Sequence, residues 1–394
     1  MSALTGWTAL DDQAVAYARA LAADAVQKVG NGHPGTAMSL APVAYNLFQR
    51  HLVHDPADPN WIGRDRFILS CGHSSITLYT QLFYSGYGLE MADLQAFRTW
   101  NSLTPGHPEY GHTAGVEMTT GPLGQGVATA VGMAMAARYE RGLFDPATAV
   151  GKSLFDHTIW VICSDGDLEE GVSAEASSLA GTQELGNLVM IYDDNRISIE
   201  GDTHNAFTED VSARYRAYGW QVIDVPAAAD GRIDLPAVDA AMISAKAELT
   251  KPSLIRMHSV IAWPEPKAKG TAGSHGSALG AEEIAETKKI LGLNPDEHFA
   301  LPADVFAHVR KVKDRGAQAR KDWAARLATW QASNPNEAAL LKRLQSKELP
   351  AGWDSELPVF EAGTQLATRA ASGKAINALA KQMPELWGGS ADLA

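Results

Sequence analysis

The chain alternates between two hydrophobic patterns, short apolar runs and longer stretches with helical spacing. The short runs are rich in β-branched residues and end at small or polar ones, which is typical of buried parallel strands. They cover residues 67–71, 157–163, 187–192, 220–225 and 253–257. The helical stretches cover residues 11–28, 38–51, 74–84, 127–141 and 235–246, with another helix from about residue 173. This alternation predicts an α/β fold, a doubly wound, mostly parallel sheet with helices on both faces.

The pattern changes after Gly280, where charged helical segments replace the strands. These segments cover residues 282–291 and 303–330. At 394 residues the chain is longer than one hydrophobic core normally supports. Asn334-Pro335 marks a domain edge, and a new helix runs over residues 368–382. We therefore predict one domain at 1–333 with a helical C-terminal extension, and a linker plus the start of a second α/β domain at 334–394.

The overall charge excludes some classes of partner. The chain has 33 basic and 46 acidic residues, a net charge of −13, which argues against binding to nucleic acid or to a membrane surface.

The two cysteines, Cys71 and Cys163, end apolar runs and have the character of buried, reduced thiols. The N-terminus has no signal-peptide pattern, and no apolar stretch reaches 18 residues. We predict a cytoplasmic enzyme without processing, in which any anionic substrate would be held by local donors.

The clearest polar cluster follows two predicted strands. Residues 164–171 read SDGDLEEG after one strand, and residues 192–195 read YDDN after the next. Because ligands bind beyond the carboxyl ends of parallel strands, Asp165 and Asn195 can converge on one ion. Their oxygens, together with the carbonyl of Ile197, suit Mg²⁺ or Ca²⁺ that is also held by phosphate oxygens. The spacing predicts a metal–diphosphate site.

Glycine-rich backbone surrounds this predicted site. Gly166 has no Cβ at the point where a diphosphate must approach, and the helix near residue 173 directs its N-terminal amides there. The segment TTGPLGQG at 119–126 follows a long loop and precedes a helix, and its amides can reach a phosphate or a flat cofactor ring. Long loops inside compact domains are usually functional.

Four histidines lie in glycine-rich loops with the sequences GNGHPG, CGHSS, TPGHPEYGH and GSHGSALG. They are His33, His73, His107 and His275. A neutral imidazole can position sugar hydroxyls or move protons near neutral pH. Chemistry at a carbon-bound hydroxyl group requires one proton to be removed and another to be returned, which suits histidine.

Together these segments resemble the transketolase family. The agreement covers residues 11–394 and includes GNGHPG, SCGHSS, TPGHPEYGHT, TGPLGQG, SDGDLEEGVSAEA, YDDNRISIEG, AGSHGSALG, ATRAASG and ELWGGSADLA. Thiamine diphosphate enzymes share a Gly-Asp-Gly sequence that is followed by an asparagine roughly 25 to 30 residues later. Ser164 replaces the first glycine of this pattern here, and a small serine preserves the turn.

The resemblance implies roles for individual residues. The metal ligands would be Asp165, Asn195 and the backbone of Ile197. The residues that contact thiamine diphosphate would be His73, Gly124, Gln125, Gly126, Gly166, Asp193, Asn195 and His275. Proton transfer would belong to His33 and His275, and the substrate would be held by His33, His107, His275 and Arg369. The acidic cluster at the family's dimer interface would contain Glu170, Glu175 and Asp392.

The implied reaction moves a two-carbon ketol unit from a ketose phosphate, such as xylulose 5-phosphate, to an aldose phosphate, such as ribose 5-phosphate, in the pentose phosphate pathway. The implied assembly is a homodimer with the active site at the interface. The family's cofactor-activating glutamate belongs to a pyrimidine-binding domain that would follow Ala394, so we expect the chain to be truncated. Three alternatives remain: a split transketolase, a cofactor-binding fragment without enzymatic activity, and a related enzyme such as dihydroxyacetone synthase or a ketoacid dehydrogenase subunit. The four histidines argue against the dehydrogenase.

Overall fold

The computed structural model describes residues 4–390. In that part of the chain, five strands form one parallel sheet in the order β1-β2-β3-β7-β6, and two short strands form a separate antiparallel hairpin. The strands are β1 (Arg66–Leu69), β2 (Ile159–Ser164), β3 (Leu188–Asp194), β4 (Ile197–Ser198), β5 (Gly201–Asp202), β6 (Gln221–Val225) and β7 (Ser253–His258). The predicted α/β fold with a mostly parallel sheet is confirmed.

Helices connect and cover these strands. In chain order they are α1 (Ala9–Val29), α2 (Pro34–Asn46), α3 (Ser75–Ser85), α4 (Met91–Gln95), α5 (Gln125–Phe144), α6 (Asp165–Glu169), α7 (Gly171–Thr182), α8 (Val211–Ala217), α9 (Leu235–Ala247), α10 (Ala281–Ile290), α11 (Ala303–Val309), α12 (Val312–Ser333), α13 (Pro335–Ser346) and α14 (Thr368–Gln382). Helix α2 begins four residues before the predicted start, because Pro34 is well suited to a first helical position. A π-helical turn, Leu47–His51, extends this helix.

The central strands are buried on both faces, which explains their continuous apolar runs. Every residue of β2 and β3 is buried. Trp160 and Ile162 pack into one hydrophobic core with α1, α2 and α3, whereas Val161 and Cys163 pack into a second core with α5. Successive side chains of a strand point to opposite faces. The sheet therefore lies between two helical layers, as predicted.

Some elements differ from the sequence-based prediction. The helix predicted at 303–330 is divided into α11 and α12. Helix α8 was not predicted, although Asp210 caps it by accepting a hydrogen bond from Ala213 N. Helix α13 was also missed and begins with Pro335 at its first position. Helix α8 is short and shows no extended helical period. Helix α13 has 12 residues and lies in the segment that we predicted as a linker.

The chain divides into two compact units, Met1–Trp323 and Ala324–Ala394, with the division inside α12. The second unit contains α13 and α14, and within it Arg343 forms an ion pair with Glu385 at 2.6 Å. The domain edge that we place at Asn334 stays a prediction. Among residues 4–390, no helix has both the length and the apolar character needed to cross a membrane.

Candidate cofactor and active site

The site forms at the carboxyl edge of the sheet, where neighbouring strands end side by side. Ser164 of β2 lies opposite Asp193 of β3, so the residues that follow both strands share one edge. Ser259, which follows β7, reaches the same place, and its hydroxyl donates a hydrogen bond to Asp193 at 2.5 Å. Three strands thus contribute polar groups to a single region.

The carboxyl group of Asp165 is buried at this edge and is 2% exposed. The Tyr192 hydroxyl donates to Oδ1 at 2.5 Å, and the backbone N–H of Arg196 donates to Oδ2 at 3.0 Å. Burial raises the pKa of Asp165 to about 7, and the nearby Asp194 and Asp193 also act to raise it. A divalent cation here would favour the ionised form.

The side chain of Asn195 is held in a fixed orientation. Its Nδ2 donates to Asp193 Oδ2 at 3.0 Å, and its Oδ1 accepts from the backbone N–H of Ile197 at 2.9 Å. An amide oxygen has two lone pairs, so Oδ1 retains one for a cation. The backbone N–H of Arg196 donates to the Asp165 carboxyl group, although Asp165 and Arg196 are 31 positions apart in the chain. The Asp165 carboxyl group therefore lies beside the peptide that joins Asn195 to Arg196.

The donor set at this turn fits a hard cation. No group of three or more His, Cys, Asp or Glu side chains within residues 4–390 is placed to hold a metal ion. The predicted ligand set includes only one such side chain, the Asp165 carboxylate, and adds the Asn195 amide oxygen and the Ile197 backbone carbonyl. Mg²⁺ and Ca²⁺ accept such oxygens and complete their coordination with phosphate oxygens and water. The role of these three residues as ligands stays a prediction.

Three of the four predicted histidines form a compact cluster. The ring centroids of His33 and His73 are 5.0 Å apart, those of His73 and His275 are 5.2 Å apart, and those of His33 and His275 are 5.5 Å apart. His33 precedes α2, and His73 lies in the turn between β1 and α3. Loops distant in sequence therefore bring the three rings together.

Each ring of this cluster has one nitrogen that is buried and has no hydrogen-bond partner among the described residues: Nδ1 of His33, Nε2 of His73 and Nδ1 of His275. Burial lowers the pKa of His33 to about 4 and also lowers the pKa values of His73 and His275. The backbone of Ile197 interacts with His275 and partly opposes this effect. Buried polar atoms in proteins are nearly always hydrogen-bonded. A polar cofactor or substrate that contacts these neutral rings would supply the hydrogen-bond partners of the three nitrogens.

Glycines allow the surrounding loops to approach each other. A Cβ at Gly72 would lie 2.5 Å from Thr120 Oγ1, and a Cβ at Gly126 would lie 2.5 Å from Ser70 Cα. The His73 turn therefore contacts the loop that precedes α5, and the start of α5 contacts the end of β1. Among the predicted cofactor contacts, the amide of Gly124 already donates to Asp167 at 2.8 Å. The cofactor contacts of Gly124, Gln125, Gly126 and Gly166 stay predictions.

Arg98 is a neighbour of the site that sequence reasoning missed. Its backbone N–H donates to Thr104 O at 2.9 Å, and its guanidinium group donates to Gly106 O at 3.5 Å. His107 follows directly in this loop. Burial, followed by the charge of Arg98, lowers the pKa of His107. No motif marks Arg98, because its role depends on how the loop folds back on itself.

Ser164, which replaces the first glycine of the thiamine pattern, has a structural role. Ser164 and Asp167 form a capping box at the start of α6: the Ser164 N–H donates to Asp167 Oδ2 at 3.0 Å, and its hydroxyl donates to the same atom at 3.3 Å. The Ser-x-x-Asp spacing in the sequence is a signal for this motif. Sequence reasoning did not use it and so missed Asp167.

The structure describes three of the four remaining predicted site residues. Arg369 lies in α14 of the second unit and is exposed. Glu170 and Glu175 are exposed at and inside α7. Asp392 lies outside the described residues. The substrate and interface roles of these residues stay predictions.

Comparisons with known proteins find a matching family model and similar sequences. Residues 10–350 match the family model described as "Transketolase, thiamine diphosphate binding domain". The chain is 57% identical over 389 residues to a transketolase of Mycobacterium tuberculosis, with 98% of the chain and 55% of that protein covered. It is 47% identical over 386 residues to a transketolase of Geobacillus stearothermophilus, with 98% of the chain and 57% of that protein covered.

The fold also resembles a solved structure. A transketolase of Pichia stipitis superposes with a TM-score of 0.92 at 41% sequence identity, with 98% of this chain and 56% of that chain covered. The chain therefore spans about half the length of the relatives that it matches.

Proposed function

Because the chain belongs to the transketolase family and contains its thiamine diphosphate binding domain, we propose that the protein transfers a two-carbon ketol unit between sugar phosphates. The observation that carries this proposal is the position of the His33–His73–His275 cluster beside the turn that contains Asp165 and Asn195. The backbone of Ile197, two residues after Asn195, interacts with His275 and so connects the turn to the cluster. A polar cofactor that carries a diphosphate would contact both the histidine cluster and this turn.

In this proposal the chain binds the cofactor through its diphosphate. Asp165, Asn195 and the Ile197 carbonyl hold Mg²⁺ or Ca²⁺, and the cation neutralises the diphosphate. The Tyr192 hydroxyl keeps the Asp165 carboxylate in place, and Asp193 fixes the Asn195 amide. When bound, thiamine diphosphate supplies the electron sink that carries the two-carbon fragment.

In this proposal His33 and His275 transfer protons during the reaction. Breaking the bond between C2 and C3 of a ketose phosphate releases the proton of the C3 hydroxyl, and joining the fragment to an aldehyde returns a proton to the new hydroxyl. His33 and His275 are neutral at pH 7 because burial lowers their pKa values. Each can therefore accept a proton and give it back. His107 and His73 position the sugar and the cofactor.

Sugar phosphates are the proposed substrates, as in the pentose phosphate pathway. The P. stipitis transketolase was solved with sedoheptulose 7-phosphate. Arg369 would bind the substrate phosphate, because a planar guanidinium group binds phosphate oxygens in pairs. A cytoplasmic location stays a prediction.

A homodimer with the active site at its interface is the proposed assembly. Glu170 and Glu175 are exposed in this chain, so both remain accessible to a second subunit. Equilibrium sedimentation of the complete protein measures the assembly directly, and a monomer at micromolar concentration under assay conditions would contradict the dimer.

The function is tested on the complete protein that the gene encodes. Xylulose 5-phosphate and ribose 5-phosphate are supplied with Mg²⁺, with and without thiamine diphosphate, and products are separated by chromatography. We expect turnover only in the presence of the cofactor. No cofactor-dependent transfer to any aldose phosphate would reject the proposal, and transfer to formaldehyde alone would identify a dihydroxyacetone synthase instead.

A further inference from the structure

Asp167 is a fully buried carboxyl group that accepts hydrogen bonds from Ser164, three positions earlier, and from two segments that are distant in the sequence. It is 0% exposed. Its Oδ1 accepts from the Ser70 hydroxyl at 2.7 Å and from the Gly124 N–H at 2.8 Å. Its Oδ2 accepts from the N–H of Ser164 at 3.0 Å and from the hydroxyl of the same residue at 3.3 Å. All four partners are donors, so only a group with two acceptor oxygens satisfies them together.

The three segments are those that form the proposed cofactor site. Ser164 directly precedes the proposed metal ligand Asp165. Gly124 precedes α5, whose first turn contains predicted cofactor contacts. Ser70 follows β1 and precedes the turn that carries His73.

The contacts continue one step further. Ser70 Oγ also accepts a hydrogen bond from the N–H of Val127 at 3.1 Å, which ties the first turn of α5 to the end of β1. The Ser173 hydroxyl donates to the backbone carbonyl of Asp167 at 2.5 Å, which ties α7 to the same point. A displacement of Asp167 would therefore shift the glycine loop relative to the proposed metal ligand.

We propose that Asp167 is a positioning residue: it sets the distance between the Asp165 metal ligand, the glycine loop at Gly124–Gly126 and the His73 turn, and thereby determines affinity for the diphosphate cofactor. This inference rests on the proposed function. Both carboxyl oxygens of Asp167 already accept hydrogen bonds within the chain, so its effect on the cofactor would pass through the segments that it orients. Outer residues that orient metal ligands typically change metal affinity or activity about 10- to 100-fold when they are replaced.

The substitution Asp167→Asn tests the proposal, because it keeps the shape and removes one acceptor. In either orientation its NH₂ group faces a backbone N–H, of Ser164 or of Gly124. We expect the dissociation constant for thiamine diphosphate in the presence of Mg²⁺ to rise about 10- to 100-fold in the complete protein, measured by titration calorimetry. Ser70→Ala removes one donor to Asp167 together with the acceptor of the Val127 N–H, and it is expected to show a smaller rise. Ser164→Ala removes the 3.3 Å contact and the hydroxyl of the capping box but keeps the Ser164 N–H that donates to Asp167, and it is expected to show the smallest rise.

A matched control separates positioning from general stability. Asp24 is also buried and accepts three hydrogen bonds, from Lys288 Nζ at 2.7 Å, from His298 Nδ1 at 3.0 Å and from Phe299 N at 2.9 Å. It joins α1 to α10, neither of which contributes a proposed site residue. Asp24→Asn should lower the melting temperature yet leave the cofactor dissociation constant within about twofold of the unchanged protein.

Each outcome decides between positioning and a merely structural role. The proposal is overturned if Asp167→Asn binds the cofactor within twofold of the unchanged protein, or if Asp24→Asn weakens binding as much. If Asp167→Asn does not fold, Ser70→Ala decides by the same criterion. If the unchanged protein fails to bind thiamine diphosphate, the proposed function and this inference are refuted together. If the unchanged protein and Asp167→Asn both bind the cofactor normally, the inference alone is refuted.

Discussion

At the scale of single residues, the proposed metal site depends most on Asp165. Its carboxyl group is buried, and burial raises its pKa to about 7. Two donors, the Tyr192 hydroxyl and the Arg196 N–H, fix its direction. An acceptor that is held in place but costly to ionise is well prepared for a divalent cation, whose charge offsets the cost of burial.

Asp165→Asn should remove most of the metal affinity while the fold remains. The amide oxygen can still accept one of the two hydrogen bonds, but it carries no charge for the cation. We expect the affinity for Mg²⁺ in the presence of thiamine diphosphate to fall at least about 100-fold, since this substitution affects a ligand rather than an outer residue. Calorimetric titration measures this change.

Asp202→Asn is the matched control for this substitution. Asp202 is an exposed carboxylate in the adjacent β4–β5 hairpin, where it accepts from His204 N at 2.8 Å. Its replacement should leave metal affinity unchanged. Equal affinity in Asp165→Asn and the unchanged protein would contradict the ligand assignment.

The identities of these residues could be predicted from the sequence, but most of their partners could not. Strand ends and motif spacing bring Asp165 and Asn195 to one edge, because parallel strands end together. The contacts of Asp167 with Ser70 and Gly124 join positions 97 and 43 residues apart. Such pairs have no local period, so they appear only once the chain has folded.

At the scale of elements, the packing of α5 on the end of β1 depends on one glycine. A Cβ at Gly126 would stand 2.5 Å from Ser70 Cα, which is backbone and cannot yield without moving the strand. The first turn of α5 can therefore approach the end of β1 this closely only with a glycine at position 126.

Gly126→Ala should force this helix away from β1. We expect a loss of about 1–3 kcal/mol in the free energy of unfolding, as for other overpacked sites, together with weaker cofactor binding. Gly132→Ala in the same helix is the control, because no atom outside its own helix lies within 4 Å of its Cβ position; it should stabilise the protein by about 0.5–1 kcal/mol. Urea unfolding measures both, and equal effects would contradict the packing argument.

The turn that follows β3 is anchored to β7 by an ion pair. Asp194 is buried, and it accepts from Arg256 Nε at 2.8 Å and lies 3.0 Å from His258 Nδ1. Burial opposes ionisation of Asp194, yet His258 and Arg256 hold its pKa below the usual value. This pair fixes the residue that directly precedes Asn195.

Arg256→Met should therefore affect both stability and the metal site. Arg256 is 19% exposed and Asp194 keeps His258 as a partner, so the loss of Arg256 costs about 1–3 kcal/mol. Loosening the turn should lower Mg²⁺ affinity about 10-fold or more. Arg216→Met is the control: Arg216 is 54% exposed and pairs with Asp224 at 2.7 Å, and an exposed pair contributes at most about 1 kcal/mol. If both variants unfold at the same urea concentration, the anchoring role of Arg256 is refuted.

Elements with a long period or a continuous apolar run were predictable, and short ones were not. Strand β3 and helix α1 follow directly from such patterns. Helix α8 has seven residues and shows less than two full turns of period. The break between α11 and α12 lies within a stretch whose charged faces continue on both sides, so the sequence predicts one helix there.

At the scale of the whole molecule, the first unit encloses several histidines that are neutral when the protein is folded. Burial lowers the pKa of His54 to about 4 and that of His157 to about 3. His54 is 2% exposed; its Nε2 lies 3.1 Å from Phe48 O and its Nδ1 lies 2.8 Å from the Tyr87 hydroxyl. A neutral ring that donates through Nε2 and accepts through Nδ1 satisfies both partners.

A histidine whose folded pKa lies below its unfolded value of 6.5 binds a proton only in the unfolded state between the two values. Its contribution to stability is thus present above pH 6.5 and is lost as the pH falls toward 4. For His54 the loss between pH 7 and pH 5 amounts to about 2 kcal/mol. Hydroxyl donation from Tyr87 cannot continue once Nδ1 is protonated, so the contact itself opposes protonation.

His54→Gln should reduce this pH dependence, because glutamine does not titrate. The variant is expected to be less stable than the unchanged protein at pH 7, yet the difference in unfolding free energy between pH 7 and pH 5 should shrink by about 2 kcal/mol. Urea unfolding of the cofactor-free protein at both pH values gives this difference. His204→Gln alters an exposed histidine and should leave the pH dependence as it was. A His54→Gln variant that loses as much stability on acidification as the unchanged protein would show that the pKa of His54 is the same in the folded and unfolded states, and the acid sensitivity would then have to come from the other buried rings.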